Sequence, residues 1–268
     1  MTTITYATRK FLISFFLLFC FFGADSSFAQ ESDEKDWEIN LAPYLLITNL
    51  NGTSTLGPVS GPIDLSFKDI LENFEFGGSV HAEVRKNRIG LITDLTYVKL
   101  GGTTDVSEGA SISSGVEVLL FEAFGFYRVS HQNSNSKIDI FAGLRLWELK
   151  FDTSFMVDEM ALQLKSTPGW VDPVIGIRTI QRLSPKWTII VRGDIGGFGV
   201  ASAFAWTIQG SVAWKTGKTG HIVLGYKYQK TDYNNGITGV GAFAYDAAMH
   251  GVFIGYNFSF GSNKTLAN

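Results

Sequence analysis

The sequence predicts an all-β fold, an antiparallel up-and-down transmembrane β-barrel of ten strands. Three observations support this prediction: apolar and polar residues alternate with period two in ten segments, the last segment has a strongly aromatic face, and the connections alternate between short and long. The 268 residues also include 29 Gly and 22 Phe but only 6 Pro, which favours a sheet over a helical fold. Eight or twelve strands are the alternatives, because the tips of the first and fifth segments can be assigned either way.

The last segment, 246–260, shows the pattern most clearly. One parity is apolar and ends in three large aromatic residues, and the other parity is mostly small or polar; the apolar set is Val252, Ile254, Tyr256, Phe258 and Phe260. A water-soluble sandwich rarely needs three aromatics at one strand end, whereas a membrane barrel uses them as an interfacial girdle. We therefore predict that this face contacts lipid.

The other nine segments repeat this alternation between turn-forming residues. The ten strands are predicted at 37–47, 75–86, 89–100, 116–129, 137–151, 170–182, 187–198, 204–215, 221–230 and 246–260. In that order, the apolar parity includes Leu41, Val80, Leu95, Leu119, Ile140, Ile177, Val191, Ile208, Leu224 and Ile254. The opposite parity includes Asn40, His81, Asp94, Glu122, Asp139, Asp172, Arg192, Gln209, Lys227 and Asn257. An even number of strands returns both chain ends to one side of the membrane.

The connections sort by length as a barrel requires. Those after strands two, four, six and eight are short, those after one, three, five and nine are longer, and only the one after seven departs from the pattern. Short turns are typically periplasmic and long loops extracellular. Within the long connection 152–168, the segment 160–165 is predicted to extend a hairpin beyond the membrane.

The longest connection, 51–73, contains a helix signal. Ser66 followed three residues later by Asp69 indicates a capping box for one or two helical turns over 67–71. Two roles are open for this helix. It either covers the barrel mouth as a lid or plug, or it packs its apolar residues against the rim.

The N-terminus carries an export signal. Arg9 and Lys10 precede the apolar run 11–22, and Ser27 and Ala29 place small residues where a signal peptidase reads them. The run is too short for a membrane-spanning helix, which needs about 20 residues. The predicted division is a signal peptide at 1–29, a periplasmic leader at 30–36, the barrel at 37–260 and a tail at 261–268.

Composition excludes several kinds of site. Cys20 is the only cysteine and leaves with the signal peptide, so disulfides and cysteine-based metal sites or nucleophiles are excluded. Removing Arg9, Lys10 and Asp25 leaves 20 basic against 24 acidic residues, a charge of −4, and no basic stripe that would suggest nucleic acid. Four His on separate strands form no metal motif, and we expect neither a metal nor a cofactor.

The last strand resembles the C-terminal strand of Gram-negative outer-membrane barrel proteins, which typically ends on a Phe that the assembly machinery reads. Here residues 261–268 follow Phe260. The glycine and aromatic patterns at 191–199, 224–228 and 251–255 resemble small, largely uncharacterised outer-membrane barrels of the broad OmpA/OmpW-like kind. The resemblance implies a location in the cell outer membrane, contact with outer-membrane lipid and lipopolysaccharide, and insertion by the barrel-assembly machinery. We expect a monomer.

Charged residues recur on the polar parity. A Lys or Arg facing lipid near the bilayer midplane would cost about 2–4 kcal/mol, so these side chains are predicted to face the lumen. The predicted set is Glu83, Arg85, Asp94, Glu122, Arg128, Asp139, Arg145, Asp172, Arg178, Arg192, Asp194 and Lys227. Because a ten-stranded barrel is narrow, its acids and bases should pair. The lumen is then either filled by ion pairs or a constricted polar channel.

Aromatic residues fall near the predicted strand ends and indicate two girdles. The girdle candidates are Trp37, Tyr127, Trp187, Trp206, Trp214, Tyr228, Phe258 and Phe260. Trp147 and Trp170 differ, because they lie on the lumen parity near the outer rim. They are candidates for contacting a small ligand.

Catalysis in such a barrel would need a cluster of reactive residues near the extracellular rim. The candidates are His250, Asp246 and Asp232, but no Ser/His/acid spacing and no set of paired Asp and Asp/His accompanies them. We therefore expect no enzyme, but a barrel with a structural, narrow-passage or surface-binding role. The alternatives are a small-solute channel, an outer-membrane protease or lipid A-modifying enzyme, and a soluble periplasmic lipocalin-like barrel with its apolar parity turned inward.

Overall fold

Ten antiparallel strands close into a continuous ring. A computed structural model describes residues 37–107, 110–130, 135–157, 160–217 and 219–261. The elements are β1 (Glu38–Leu56), β2 (Val59–Leu65), α1 (Phe67–Glu72), β3 (Phe74–Lys86), β4 (Ile89–Ser107), β5 (Ala110–Arg128), β6 (Ser136–Val157), β7 (Met160–Ser166), β8 (Gly169–Arg182), β9 (Trp187–Gly196), β10 (Ser202–Lys215), β11 (Gly220–Asn234), a 3-10 turn (Gly239–Gly241) and β12 (Phe243–Phe260). The predicted antiparallel up-and-down barrel of ten strands is confirmed.

The ring closes where the first strand meets the last. β1 pairs with β12 from Ile39 opposite Phe260 to Leu56 opposite Phe243. From β1 the ring continues through β3, β4, β5, β6, β8, β9, β10 and β11 to β12. β2 and β7 lie off this path and pair with β1 and β6. The predicted hairpin extension at 160–165 is therefore confirmed by β7.

The long connections contain more strand than the sequence predicts. Parts of 51–73, 101–115 and 231–242 were predicted as loops, but they continue the ladders of β1 and β2, of β4 and β5, and of β11. The physical reason is that period two reports two different environments on the two faces of a strand. Where the hairpins leave the membrane both faces are wetted, so the alternation fades although the backbone bonds continue.

Helix α1 has the predicted capping box. Asp69 N donates to Ser66 Oγ at 3.3 Å, and Ser66 N donates to Asp69 Oδ2 at 2.8 Å. The hydrogen bonds that Ser66 Oγ and Ser66 N donate to Asp69 Oδ2 lower the pKa of the Asp69 carboxyl. Phe67 and Leu71 are exposed and Ile70 is half-buried, so packing of these apolar residues against the rim stays a prediction. The lid hypothesis stays a prediction. Within the described part of the chain, no helix has the length and apolar character needed to cross a membrane.

The two faces of the barrel wall have opposite character. Val191, Leu224 and Ile254 are exposed on the outer face, Leu224 by 53 %, whereas Arg145 is 0 % exposed inside. Arg178 is also buried. A soluble barrel would bury the apolar parity and expose the arginines, so the lipocalin-like alternative is wrong. The outer surface is a hydrocarbon-facing belt, and the polar interior is the lumen.

Candidate functional site

The two ends of the barrel differ in their connections. The turn end carries the start of β1, the end of β12 and the short turns, such as the one between β3 and β4. The hairpin end carries the extensions made by β2, β7 and the outer halves of β4 and β5. Three levels follow one another between these ends: a cavity at the turn end whose wall includes one ion-pair network, a central ion-pair network, and an aromatic cluster at the hairpin end.

The central network joins five charged side chains from β5, β6, β9 and β11. Arg145 Nε donates to Glu122 Oε1 at 2.6 Å, and Arg145 Nη2 donates to Asp194 Oδ1 at 2.8 Å. Arg192 Nε donates to Asp194 Oδ2 at 3.0 Å, while Arg192 Nη2 lies 3.3 Å from Glu122 Oε1. Lys227 Nζ approaches Glu122 Oε2 to 3.9 Å. Glu122 therefore serves three cations at once.

A second network lies nearer the turn end. Asp139 accepts from Arg128 Nε at 2.7 Å and from Arg178 Nη2 at 2.7 Å. Arg178 Nη1 also donates to Glu83 Oε2 at 2.6 Å. Since Arg178 is on β8 and Glu83 on β3, this bond crosses the lumen rather than following its wall.

Smaller contacts complete the charged interior. Arg85 is ion-paired with Glu38, and Tyr44 Oη donates to Asp94 Oδ1 at 2.7 Å, while His81 Nδ1 lies 3.2 Å from Asp94 Oδ2. With these contacts, the structure places every predicted lumen charge in the buried interior: Glu83, Arg85, Asp94, Glu122, Arg128, Asp139, Arg145, Asp172, Arg178, Arg192, Asp194 and Lys227.

Asp172 departs from the expected pairing of acids with bases. Arg145 lies opposite Asp172 in the β6–β8 register, but its guanidinium is bound to Glu122 and Asp194 instead. Asp172 accepts from Trp170 Nε1 at 3.1 Å and from Ser202 Oγ at 2.7 Å. Neutral donors therefore satisfy this carboxylate, and they attach it to the aromatic layer.

The aromatic seal is the cluster formed by Trp147, Trp170, Tyr233, Phe243 and Tyr245 at the hairpin end. Trp170 stacks on Tyr233 with ring centroids 4.2 Å apart and 7° between the planes. Trp147 stacks on Trp170 at 5.7 Å and 16°, and lies 6.0 Å from Tyr245. The two tryptophans predicted to contact a small ligand contact each other instead, within a buried hydrophobic cluster. Tyr233, Phe243 and Tyr245 were missed because they lie in or beside a segment predicted as loop.

Several polar atoms between the central network and the aromatic seal have no hydrogen-bond partner among the described residues. Thr207 and Gln229 face each other across β10 and β11, and Thr231 follows on the same face of β11. Trp147 Nε1 and Arg145 Nη1 are also buried and unpartnered. Buried polar groups are nearly always hydrogen-bonded, so this level is the least satisfied part of the interior.

A group of aromatic rings inside the wall was not predicted from the sequence. Phe124, Phe126 and Phe141 are buried on the lumen parity. The Arg192 guanidinium lies 4.8 Å from the Phe124 ring centroid, and that of Arg178 lies 5.1 Å from the Phe126 ring. Such cation–π contacts favour arginine over lysine in this position. The signal in the sequence is that these Phe residues share parity with Glu122, Arg128 and Asp139.

Gly176 leaves the space that the Phe141 ring occupies. Gly176→Ala is expected to lower the free energy of unfolding by about 1–3 kcal/mol, the usual cost of overpacking. An added Cβ would lie 2.3 Å from Phe141 Cζ and 2.6 Å from Gly193 O. Urea unfolding in detergent micelles, followed by tryptophan fluorescence, measures the change. The control is Gly210→Ala, whose Cβ would meet no atom within 4 Å; an equal loss in both variants contradicts the prediction.

The cavity at the turn end has a volume of about 550 Å³. Its lining runs from Glu38, Lys137 and Lys215 near the rim to Arg192 and Lys227 at its inner limit. No residue of the aromatic seal lines it. The cavity is therefore a pocket that stops at the central network and does not reach the hairpin end.

The predicted girdle residues lie on the outer face. Those near the turn end are exposed: Trp37, Tyr127, Trp187, Trp214, Phe258 and Phe260. Trp187 stacks on Trp214 with centroids 6.1 Å apart. Trp206 and Tyr228, on the same parity further along their strands, are half-buried and stack at 5.0 Å.

Of the predicted catalytic candidates, Asp232 and Asp246 lie opposite each other in the β11–β12 register, but neither is hydrogen-bonded to His250. His250 is held by Tyr226 Oη at 2.8 Å and by Asn51 Oδ1 at 2.9 Å, and neither partner is a carboxylate. Asp246 is ion-paired with Lys230, and Asp232 is exposed. No group of three His, Cys, Asp or Glu side chains that could hold a metal ion occurs among the described residues.

Comparisons with solved structures find similar outer-membrane proteins, at low sequence identity and with TM-scores below 0.5. No protein-family model and no curated protein matches the chain. The translocator domain of autotransporter NalP from Neisseria meningitidis is 13 % identical, with 96 % of this chain and 98 % of that chain covered and a TM-score of 0.43. The outer membrane protease OmpT from Escherichia coli is 8 % identical, with 88 % and 99 % covered and a TM-score of 0.46. Ail of Yersinia pestis, in complex with a heparin analogue, is 10 % identical, with 85 % and 99 % covered and a TM-score of 0.36.

These likenesses concern the fold alone. The closed antiparallel ring, the apolar belt outside and the charged lumen inside are those of an outer-membrane β-barrel. The chain thus has the architecture of an outer-membrane β-barrel.

Proposed function

We propose that this barrel is closed to passive solute flow and acts through its two ends rather than as an open pore. By the usual orientation of such barrels, the turn end faces the periplasm and the hairpin end faces the cell exterior. The observation that supports the proposal is that side chains meet across the lumen at successive levels, so each level would have to open before a solute could pass.

The cross-lumen contacts join strands that are far apart in the ring. Glu122 on β5 and Lys227 on β11 are five strands apart, and their side chains approach to 3.9 Å. Trp147 on β6 and Tyr245 on β12 are also five strands apart, with ring centroids 6.0 Å apart. In a ring of ten strands, a separation of five is diametric. Charged groups and aromatic rings thus close the same lumen at two different depths.

The experiment is single-channel recording in planar bilayers. The wild-type protein, shown to be folded by heat-modifiable gel mobility, is expected to give no discrete conductance steps. The variant Trp147→Ala/Tyr245→Ala/Lys227→Ala removes both rings of the aromatic contact and one partner of the charged contact, and it is expected to give them. Trp187→Ala/Trp214→Ala, on the outer face, is the control and should stay silent like the wild type.

Two results would overturn the proposal. Steps from the wild-type protein would make it a constitutive small-solute channel. Silence from the folded triple variant would show that the lumen is not closed by the central network and the aromatic seal. No enzymatic activity is part of the proposal, and the partners that we propose are outer-membrane lipid, lipopolysaccharide and the barrel-assembly machinery around a monomeric barrel.

A further inference from the structure

The cavity at the turn end has features that a sealed barrel does not need. Its volume of about 550 Å³ is that of a pocket for a small molecule. Polar side chains line much of it, among them Asn40, Gln209, Ser211 and Asn257. A space filler would use apolar residues here, as the aromatic seal does at the hairpin end of the same lumen.

The charges lining the cavity do not balance. Three carboxylates and seven Lys or Arg side chains line it. Each of the three carboxylates already has a partner: Glu38 binds Arg85, Glu83 binds Arg178, and Asp94 binds Tyr44. Asp139 and Glu122, which lie behind the lining, serve Arg128, Arg178, Arg192 and Lys227. The two remaining cations are lysines.

These lysines are Lys137 on β6 and Lys215 on β10. Among the described residues, neither lies within 4.0 Å of a carboxylate oxygen in an ion pair, and both are partly buried at the cavity wall. Arg128 and Arg85 repel Lys137, whereas the carboxylates of Glu38 and Asp139 attract it without forming an ion pair within 4.0 Å. Clefts with low-dielectric walls concentrate the potential of such charges and attract ions of the opposite sign.

His221 supplies an independent observation. It lies opposite Lys215 in the β10–β11 register, lines the cavity and is only 8 % exposed. Its Nδ1 has no hydrogen-bond partner among the described residues. A buried ring nitrogen left unpaired is costly, so a turn of the ring that brings Nδ1 to the cavity and onto a bound group is favoured.

We propose that the cavity binds a small, free, multivalent oxyanion that enters from the periplasm, with Lys137 and Lys215 as its charge partners and His221 as a hydrogen-bond donor. Phosphate-type and polycarboxylate anions have this chemistry. Lipid headgroups share it, but lipid lies against the outer face of the wall, whereas these three residues line its inside. The ligand is therefore a free anion.

The first test is calorimetric titration of the purified full chain with inorganic pyrophosphate, in a non-ionic, phosphate-free detergent at low ionic strength. Saturable binding to one site is expected, and Lys137→Ala/Lys215→Ala should weaken it at least about tenfold because both counter-charges are lost. The matched control, Lys68→Ala/Lys165→Ala, removes two charges at the hairpin end and should bind like the wild type. A short-chain phosphatidylglycerol should not compete.

Three results would overturn the proposal: no saturable binding by the wild type, equal weakening in both double variants, or binding of the lipid without binding of pyrophosphate. Heat-modifiable mobility shows whether each variant is folded. Since Lys137 and Lys215 form no ion pair in the described structure, their removal leaves the networks intact.

A second test locates the site without relying on affinity. In a Cys20→Ser background the chain has no other thiol, so Ser211→Cys introduces a single one at the cavity wall. An anionic methanethiosulfonate reagent should label it faster than a cationic one by about tenfold, relative to exposed Ser60→Cys, because the cavity potential attracts anions. Adding Lys137→Ala/Lys215→Ala should abolish the preference. Equal labelling by both reagents contradicts a cavity that selects anions.

Discussion

Glu122→Gln is expected to lower the free energy of unfolding by about 3–5 kcal/mol, because removing one member of a buried ion network leaves its partners charged and uncompensated. Glu122 is 0 % exposed and contacts Arg145, Arg192 and Lys227. After the substitution, Arg145 and Arg192 keep only Asp194, and Lys227 loses its ion-pair partner in the described structure. Equilibrium unfolding in urea, monitored by the loss of heat-resistant mobility and by fluorescence, measures the effect.

A matched control lies on the same strand. Glu117→Gln makes the same chemical change in β5, but Glu117 pairs with Lys150 at 3.3 Å in a largely exposed position. Exposed pairs contribute about 0–1 kcal/mol, so this variant should unfold close to the wild type. Comparable losses in both variants would show that the network is solvated and contributes no more than a surface pair.

Trp170→Ala is expected to cost about 3–5 kcal/mol of stability, the range for truncating a large buried aromatic side chain. Trp170 contacts every other ring of the aromatic seal, and its Nε1 donates to Asp172 at 3.1 Å. The substitution therefore opens a cavity and removes a donor from a buried carboxylate. Urea unfolding under the same conditions gives the magnitude.

Two further variants separate these effects. Trp170→Phe keeps a ring in the stack but loses the donor to Asp172. Its loss of stability should therefore be much smaller than that of Trp170→Ala. Trp214→Ala removes a tryptophan from the outer face, where it stacks only on Trp187 and contacts lipid, and should cost about 1 kcal/mol. If Trp170→Ala unfolds like Trp214→Ala, the aromatic seal is not a packed cluster.

Sequence parity predicts the wall well, because each residue of a membrane strand faces one of two very different environments. Lipid tolerates Leu224 and Ile254 but not Arg145, so the side on which a residue lies follows from counting by twos. The ten strands and the inward position of the buried charges follow from this single rule, without knowledge of how the strands are arranged in space.

Partners across the lumen cannot be found in the same way. Arg178 binds Asp139 on the adjacent strand, which the antiparallel register makes foreseeable, but it also binds Glu83 on the far wall. That contact depends on barrel diameter, strand tilt and the reach of a guanidinium group, none of which is encoded locally. The sequence also predicted a cation as the partner of Asp172, but Asp172 accepts from Trp170 and Ser202 instead.

The aromatic seal shows where the sequence signal ends. Phe243, Tyr245 and Ala247 point inward on alternate positions, but Ala244 and Asp246 between them lie outside the apolar belt. With water on the outer face the contrast between parities is small, and the segment resembles a loop. The same loss of contrast hid the hairpin extensions of β1 and β4.

The pairing of β1 with β12 also constrains the order of assembly. It joins Ile39 to Phe260, which lie 221 positions apart in the chain, since 260 − 39 = 221. During synthesis the first strand is complete long before its neighbour exists, and one of its edges stays unpaired, which is a hazard for aggregation. Contacts of such large sequence separation form late and slowly. The ring can therefore close only after the whole barrel sequence is available, and until then the open edge of the first strand must be kept from pairing with other chains.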